Sequence, residues 1–366
     1  MLESQASKVR DDIRIFRELT GGSSLVSLTN KRAFDYQGQG LFEEARRHYE
    51  KALSFDPQNV QTLNNLGQLL VNLGEMEEAT TILRRAIKVN STYALPHNNL
   101  GNAYFHLGRA EEAIAEYRLA IDCDPTYAMP HRNLALLYHL LGRTEDAIEE
   151  YGTYFRLAPA GTKDADAHFN LGVMLEETER RDEAIEEYEK AVADNPRHAK
   201  ALNNLGLVYF SRGEVEKATD FYLKAVDADG NFVLAIYNLG IAFAAMGQHE
   251  KAIDQFERVR AIDPENIQAA SNLGVMYSTT KHFAESIAIF EELTKKQPDQ
   301  PTLHFNLGVA YQGKGLRAKA RIQFQRVIEL ELKDSRRALR ARRELELMTS
   351  ATSTPSKANG KKSRSV

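Results

Sequence analysis

The chain has 366 residues, 43% hydrophobic and 27% charged, with 10 prolines, no tryptophan, a single cysteine and a formal charge of −4. That charge gives no global attraction to nucleic acid, and no run of residues approaches the length of an apolar membrane span. The lone Cys123 cannot close an internal disulfide, which points to a reducing, cytoplasmic setting, and the charged N-terminus MLESQASKVRDDIRIFREL has no apolar signal region.

Residues 1–24 read as an N-terminal capping helix and hinge. Val9, Ile13, Phe16 and Leu19 line one helical face, and Gly21-Gly22-Ser23-Ser24 forms the hinge. Residues 25–333 are an array. An asparagine stands directly before Leu-Gly or Leu-Ala eight times, at Asn65, Asn99, Asn133, Asn170, Asn204, Asn238, Asn272 and Asn306; six gaps are 34 residues and one is 37. A fixed period of this length replaces globular domains with stacked units that pack on their neighbours. The approximate repeats are 26–59, 60–93, 94–127, 128–161, 165–198, 199–232, 233–266, 267–300 and 301–333.

The unit is legible in its third copy. Leu100, Gly101 and Tyr104 share one face of a first helix, and Ala113, Tyr117 and Ala120 share one face of a second. Gly101 and Ala113 let the two helices approach, and Gly108 makes the turn, because glycine tolerates positive φ. Glu111 and Glu112 suit the exposed amides of the second helix's first turn, and Asp124-Pro125 ends it. The first repeat is the most degenerate, with Lys31 in the asparagine position. The 37-residue gap holds Tyr154 where other repeats prefer a small residue and adds Ala160-Gly161-Thr162-Lys163, which is expected to kink the stacking of repeats four and five. Residues 334–348 read as a capping helix with Leu339 and Leu345 inward and Arg336, Arg337, Arg340, Arg342 and Arg343 in water. Residues 349–366 have no apolar face and are expected to be a disordered basic tail.

This pattern resembles the tetratricopeptide repeat, whose signature is Leu-Gly-x2-Tyr, then Ala-x3-Phe/Tyr, then Pro. Alanines at Ala45, Ala79, Ala113, Ala147, Ala184, Ala218, Ala252 and Ala320, Ser286 in the eighth copy, and closing prolines such as Pro57, Pro125 and Pro264 carry it. The resemblance implies an all-α fold: a right-handed α-α superhelical solenoid of about nine helix pairs plus a C-terminal capping helix. The array is also similar to the repeat region of O-GlcNAc transferases, without their catalytic domain; there, asparagines at this position form a ladder that holds extended protein substrates.

One place before the core leucine, each asparagine is rotated by about 100° from the buried seam, and in this family that face lines the concave groove. A primary amide both donates and accepts, so a ladder of them can pair with a peptide main chain without reading side chains. The competing reading is structural, because Asn-Leu-Gly is near the family consensus and such amides also satisfy neighbouring helices. Three residues further on stand Gln68, Asn102, Leu136, Val173, Leu207, Ile241, Val275 and Val309, an aliphatic companion stripe from the fourth repeat onward. The candidate peptide-binding residues are the eight asparagines together with Leu136, Val173, Leu207, Ile241, Val275 and Val309.

A chaperone-tail clamp would need groove cations, yet the corresponding positions hold Asn64, Asn98, Phe169, Asn203 and Tyr237, with Arg132 the one clear cation. His97, His131, His168 and His304 recur too sparsely for a metal site and read as packing residues. Phosphate loops, His-Glu-x-x-His and cysteine clusters are absent. The expectation is a non-enzymatic scaffold or adaptor for a protein or extended peptide, with no cofactor, nucleic acid or membrane insertion. The rivals are a self-associating scaffold and a targeting subunit of a separately encoded enzyme such as a protein glycosyltransferase.

Overall fold

In a computed structural model, the structure describes residues 23–331 and 335–350. Of the N-terminal cap and hinge expected over residues 1–24, residues 1–22 with Val9, Ile13, Phe16 and Leu19 lie outside the described residues, as does the tail beyond residue 350; Ser23 and Ser24, expected in the hinge, begin the first described helix. The described residues form helices joined by turns. Contacts divide the chain into two units, Met1–Ala184 and Ile185–Val366.

The first unit holds α1 (Ser23–Gly38), α2 (Phe42–Phe55), α3 (Val60–Leu73), α4 (Met76–Val89), α5 (Ala94–His106), α6 (Ala110–Cys123), α7 (Ala128–Leu140), α8 (Thr144–Leu157) and α9 (Ala165–Glu177). The division falls inside α10 (Arg181–Asp194). The second unit continues with α11 (Ala199–Ser211), α12 (Val215–Ala228), α13 (Val233–Ala245), α14 (His249–Ile262), α15 (Ile267–Thr279), α16 (Phe283–Lys296), α17 (Pro301–Gly313), α18 (Arg317–Leu330) and α19 (Arg336–Ser350). Each unit is an all-α solenoid of helix pairs. First helices also touch in succession: α3, α5 and α7 in the first unit, and α11 with α13, α15 with α17, and α17 with α19 in the second.

The pairs close around a repeated contact. The second helices each bury one large side chain completely, among them Tyr117, Tyr151, Tyr222, Phe256 and Phe324. Opposite stands the glycine of the asparagine motif: a Cβ on Gly101 would lie 2.5 Å from the Tyr117 ring, and one on Gly206 2.5 Å from Tyr222. The aromatic ring therefore occupies the volume that a side chain would take, which is why the motif reads Leu-Gly. The turn between paired helices satisfies the helix end in the same economical way. Gly108 sits at φ 71°, and the amides of Arg109 and Gly108 reach back to the carbonyls of Tyr104 and Phe105.

The capping helix corrects one expectation. Leu339 is not inward but 51% exposed; Ala338 and Ala341 are the buried residues of α19. Small side chains let this helix lie close to the last repeat, which a leucine there would prevent. Of the arginines expected in water, Arg336 and Arg340 are exposed, Arg340 also lying over the Phe305 ring at 5.1 Å, while Arg337 is half-buried and pairs with Glu331.

Candidate functional site

The asparagines occupy one position on the first helices, and their amides bond to each other's neighbours. Asn99 Nδ2 donates to Asn64 Oδ1 at 2.9 Å, Asn133 Nδ2 to Asn98 Oδ1 at 3.0 Å, and Asn238 Nδ2 to Asn203 Oδ1 at 2.9 Å. Each acceptor is the residue just before the asparagine of the preceding repeat, so the bonds run from one first helix to the next. Asn272 uses the same position, donating to the Tyr237 hydroxyl at 2.9 Å.

Where the preceding position offers no acceptor, the amide turns elsewhere. Arg132 cannot accept, and Asn170 donates to the Tyr151 hydroxyl at 3.3 Å. In the second unit Asn204 donates to the Tyr188 hydroxyl at 3.1 Å. The two ends differ in making no such donation: Asn65 only accepts, from Asn64 at 3.3 Å, and Asn306 makes no hydrogen bond among the described residues. Asn99 is 5% exposed and offers a ligand least, whereas the other seven are half-buried. Each bonded amide still retains donor or acceptor capacity beyond its inter-helix bond.

Sequence reasoning missed the acceptors. Asn64, Asn98, Asn203 and Tyr237, which lack the cation of a chaperone-tail clamp, accept the ladder's hydrogen bonds. Their recurrence as hydrogen-bonding side chains directly before the motif asparagine was the available signal.

The stripe residues stay accessible. Leu207 is 39% and Val309 37% exposed, while Leu136, Val173, Ile241 and Val275 are half-buried. In the second unit Val275, Ser278, Thr279, Phe290, Asn306 and Val309 line an open hollow of about 230 Å³. In the first unit the earliest repeats enclose about 830 Å³ between Lys31, Asn65 and the apolar Val26, Phe34 and Phe55.

Two further constellations stiffen the first unit. The long gap places Asp164 against Arg132 Nε at 2.8 Å and the Tyr154 hydroxyl at 2.8 Å, while its other oxygen caps α9 through the Ala167 amide at 3.0 Å. Burial alone would raise the Asp164 carboxyl, but these three hydrogen bonds outweigh it and hold it below the usual range. The bulk of Tyr154 thus serves the added linker, and Arg132 is committed to it rather than open to a ligand. His97 Nδ1 meets Glu116 Oε2 at 2.7 Å and its Nε2 meets the Ser91 carbonyl at 3.1 Å. Both partners accept, which favours the doubly protonated ring, and the Glu116 bond raises its pKa despite burial. His131 bonds Glu150 at 2.6 Å, His304 bonds Gln323 at 2.7 Å, and His168 stacks on Phe155 at 4.0 Å.

Among the described residues no group of three or more His, Cys, Asp or Glu side chains is arranged to hold a metal, and no helix is long and apolar enough to cross a membrane.

Family comparisons agree with this architecture. Sequence models described as tetratricopeptide repeat match residues 36–95 and 243–307, 141–192 and 177–231, and 301–334, and one described as TPR repeat matches 101–142. Between them these matches cover well over half of the chain. The chain belongs to the tetratricopeptide repeat family. Similar solved tetratricopeptide repeat structures include the C-terminal part of a TPR repeat-containing protein from Cytophaga hutchinsonii, with a TM-score of 0.55, 16% identity, and coverage of 66% of this chain and 97% of that one. YrrB, described as a TPR protein with an unusual peptide-binding site, has a TM-score of 0.46 and 23% identity over 51% of this chain and 95% of its own. PilF of Pseudomonas aeruginosa has a TM-score of 0.49 and 19% identity over 58% and 96%. No curated protein sequence matches the chain. Tetratricopeptide repeat proteins are in general non-catalytic protein-interaction scaffolds that bind proteins or peptides.

Proposed function

We propose that the chain is a non-enzymatic adaptor of the reducing cytoplasm that holds an extended protein segment on the first-helix face of its units. The accessible aliphatic stripe carries this reading. Leu207 and Val309 are core-type side chains left in solvent beside amides that retain hydrogen-bonding capacity, and exposed apolar strips of this kind mark interaction sites. An extended strand advances about 3.3–3.6 Å per residue and first helices pack about 8–10 Å apart, so one amide and one aliphatic contact recur for roughly every third ligand residue. Such binding reads main chain and apolar side chains and is broad in sequence.

The ladder asparagines also tie repeats together, so replacing them confounds binding with stability. The stripe separates the two. The double variant Leu207→Ser, Val309→Ser is expected to lose captured protein partners in affinity purification while its melting temperature falls by only a few degrees, since two part-exposed substitutions at about 0.5–1 kcal/mol each act at about 2–4 °C per kcal/mol. Retention of the full partner set by that variant would refute the reading.

A further inference from the structure

The end of the array carries a second hollow, of about 490 Å³, lined by Thr302, Phe305, Asn306, Glu331, Ser335, Arg336, Arg337 and Arg340. Its charge does not cancel. Among the described residues Glu331 is the one acid in the lining, and it is already engaged by Ser335 and Arg337, which hold its carboxyl below the usual range. Glu344, on the same helix, accepts from Gln312 at 2.9 Å. Arg336 and Arg340 are exposed and meet no carboxylate among the described residues, and Arg340 is fixed over the Phe305 ring at 5.1 Å. Asn306, the one ladder amide without a hydrogen bond among the described residues, opens into the same space.

We infer that this hollow binds an acidic stretch of an extended peptide, with carboxylates on alternate residues meeting Arg336 and Arg340 while Asn306 takes the main chain between them. The spacing fits. Arg336 and Arg340 lie one helical turn apart on one face, with Cβ atoms about 5–6 Å apart, and alternate side chains of an extended strand emerge on one side about 7 Å apart. Guanidinium forks match carboxylates in two parallel hydrogen bonds, and stacking on Phe305 holds Arg340 ready for it. The cations come from the helix after the last repeat, not from the first-helix positions that a chaperone-type clamp uses. The inference rests on the groove reading above and names the chemistry of one end of its ligand.

The test is fluorescence anisotropy with the full chain and two labelled peptides of equal length, one alternating Glu and Ala and one alternating Gln and Ala, with a single-stranded oligonucleotide as a third probe. At low salt the parent is expected to bind the Glu peptide about tenfold more tightly than the Gln peptide, the size of one charge-assisted hydrogen bond, and to lose the preference at high salt. Arg336→Gln with Arg340→Gln removes the preference and leaves the Gln-peptide affinity in place. Arg336→Gln alone, at an exposed position that perturbs no packing, lowers the preference about threefold. Leu207→Ser with Val309→Ser weakens both peptides equally if the groove reading holds, and neither if only the acidic site exists. Equal parent affinity for the two peptides overturns the acidic site, as does a preference that survives the double arginine variant. An oligonucleotide that binds more tightly than the Glu peptide, and is lost with the same variant, assigns the hollow to nucleic acid and overturns it too.

Discussion

Glu179 and Lys281 stand at positive φ, 62° and 64°, in turns that other repeats close with Gly108, Gly142, Gly213, Gly247 and Gly315. A side chain there costs about 1–2 kcal/mol relative to glycine, so Glu179→Gly and Lys281→Gly are each expected to raise the melting temperature, by an amount worth about 1 kcal/mol. The ladder gives an opposite prediction. Asn203 is fully buried, and Asn238→Ala leaves its Oδ1 without the inter-helix donor; that orphaned acceptor costs about 1–3 kcal/mol, read as a lower melting temperature. At this scale the sequence was half legible. The period placed every asparagine, but which amide met which acceptor depended on the residue before it. A side chain such as Arg132 diverts the bond to a tyrosine hydroxyl, and spacing alone carries no trace of that diversion.

Helix pairs hold through two devices, one apolar and one ionic. The close approach of α11 and α12 depends on Gly206, and Gly206→Val would drive methyl groups into the Tyr222 ring; overpacking of this kind costs about 1–3 kcal/mol, checked by thermal melting. Between α5 and α6 the His97–Glu116 pair makes stability pH-dependent. The folded pKa of His97 is raised, so its contribution is fully present below the unfolded value of about 6.5 and fades as pH rises through the folded value. The difference in melting temperature between the parent and Glu116→Gln is therefore expected to shrink from slightly acidic to alkaline pH; a difference that grows would contradict the assignment. Element identities followed from periodicity, because Leu-Gly-x2-Tyr and Ala-x3-Tyr place one buried face per helix. The last helix was less legible. Its leucines and alanines alternate in ways that fit two faces, and the close packing that selects Ala338 and Ala341 is visible only against the final repeat.

Across the molecule, each unit builds a first-helix face whose amides largely hold neighbouring helices and whose aliphatic residues are part-buried, Leu207 and Val309 being the most exposed of them. That division explains why a motif so regular carries two meanings. The ladder's hydrogen bonds tie helices together, and under the function proposed above it is the part-exposed stripe that meets the partner. The central claim, that an extended partner lies on this face, is tested most directly by a photo-crosslinking residue placed in the intact chain at Leu207, at Val309 or, as a control, at the exposed Leu223 on a second helix. The account predicts that Leu207 and Val309 label the same partner protein and that Leu223 labels none. Labelling at Leu223 with none at Leu207 or Val309 would contradict it.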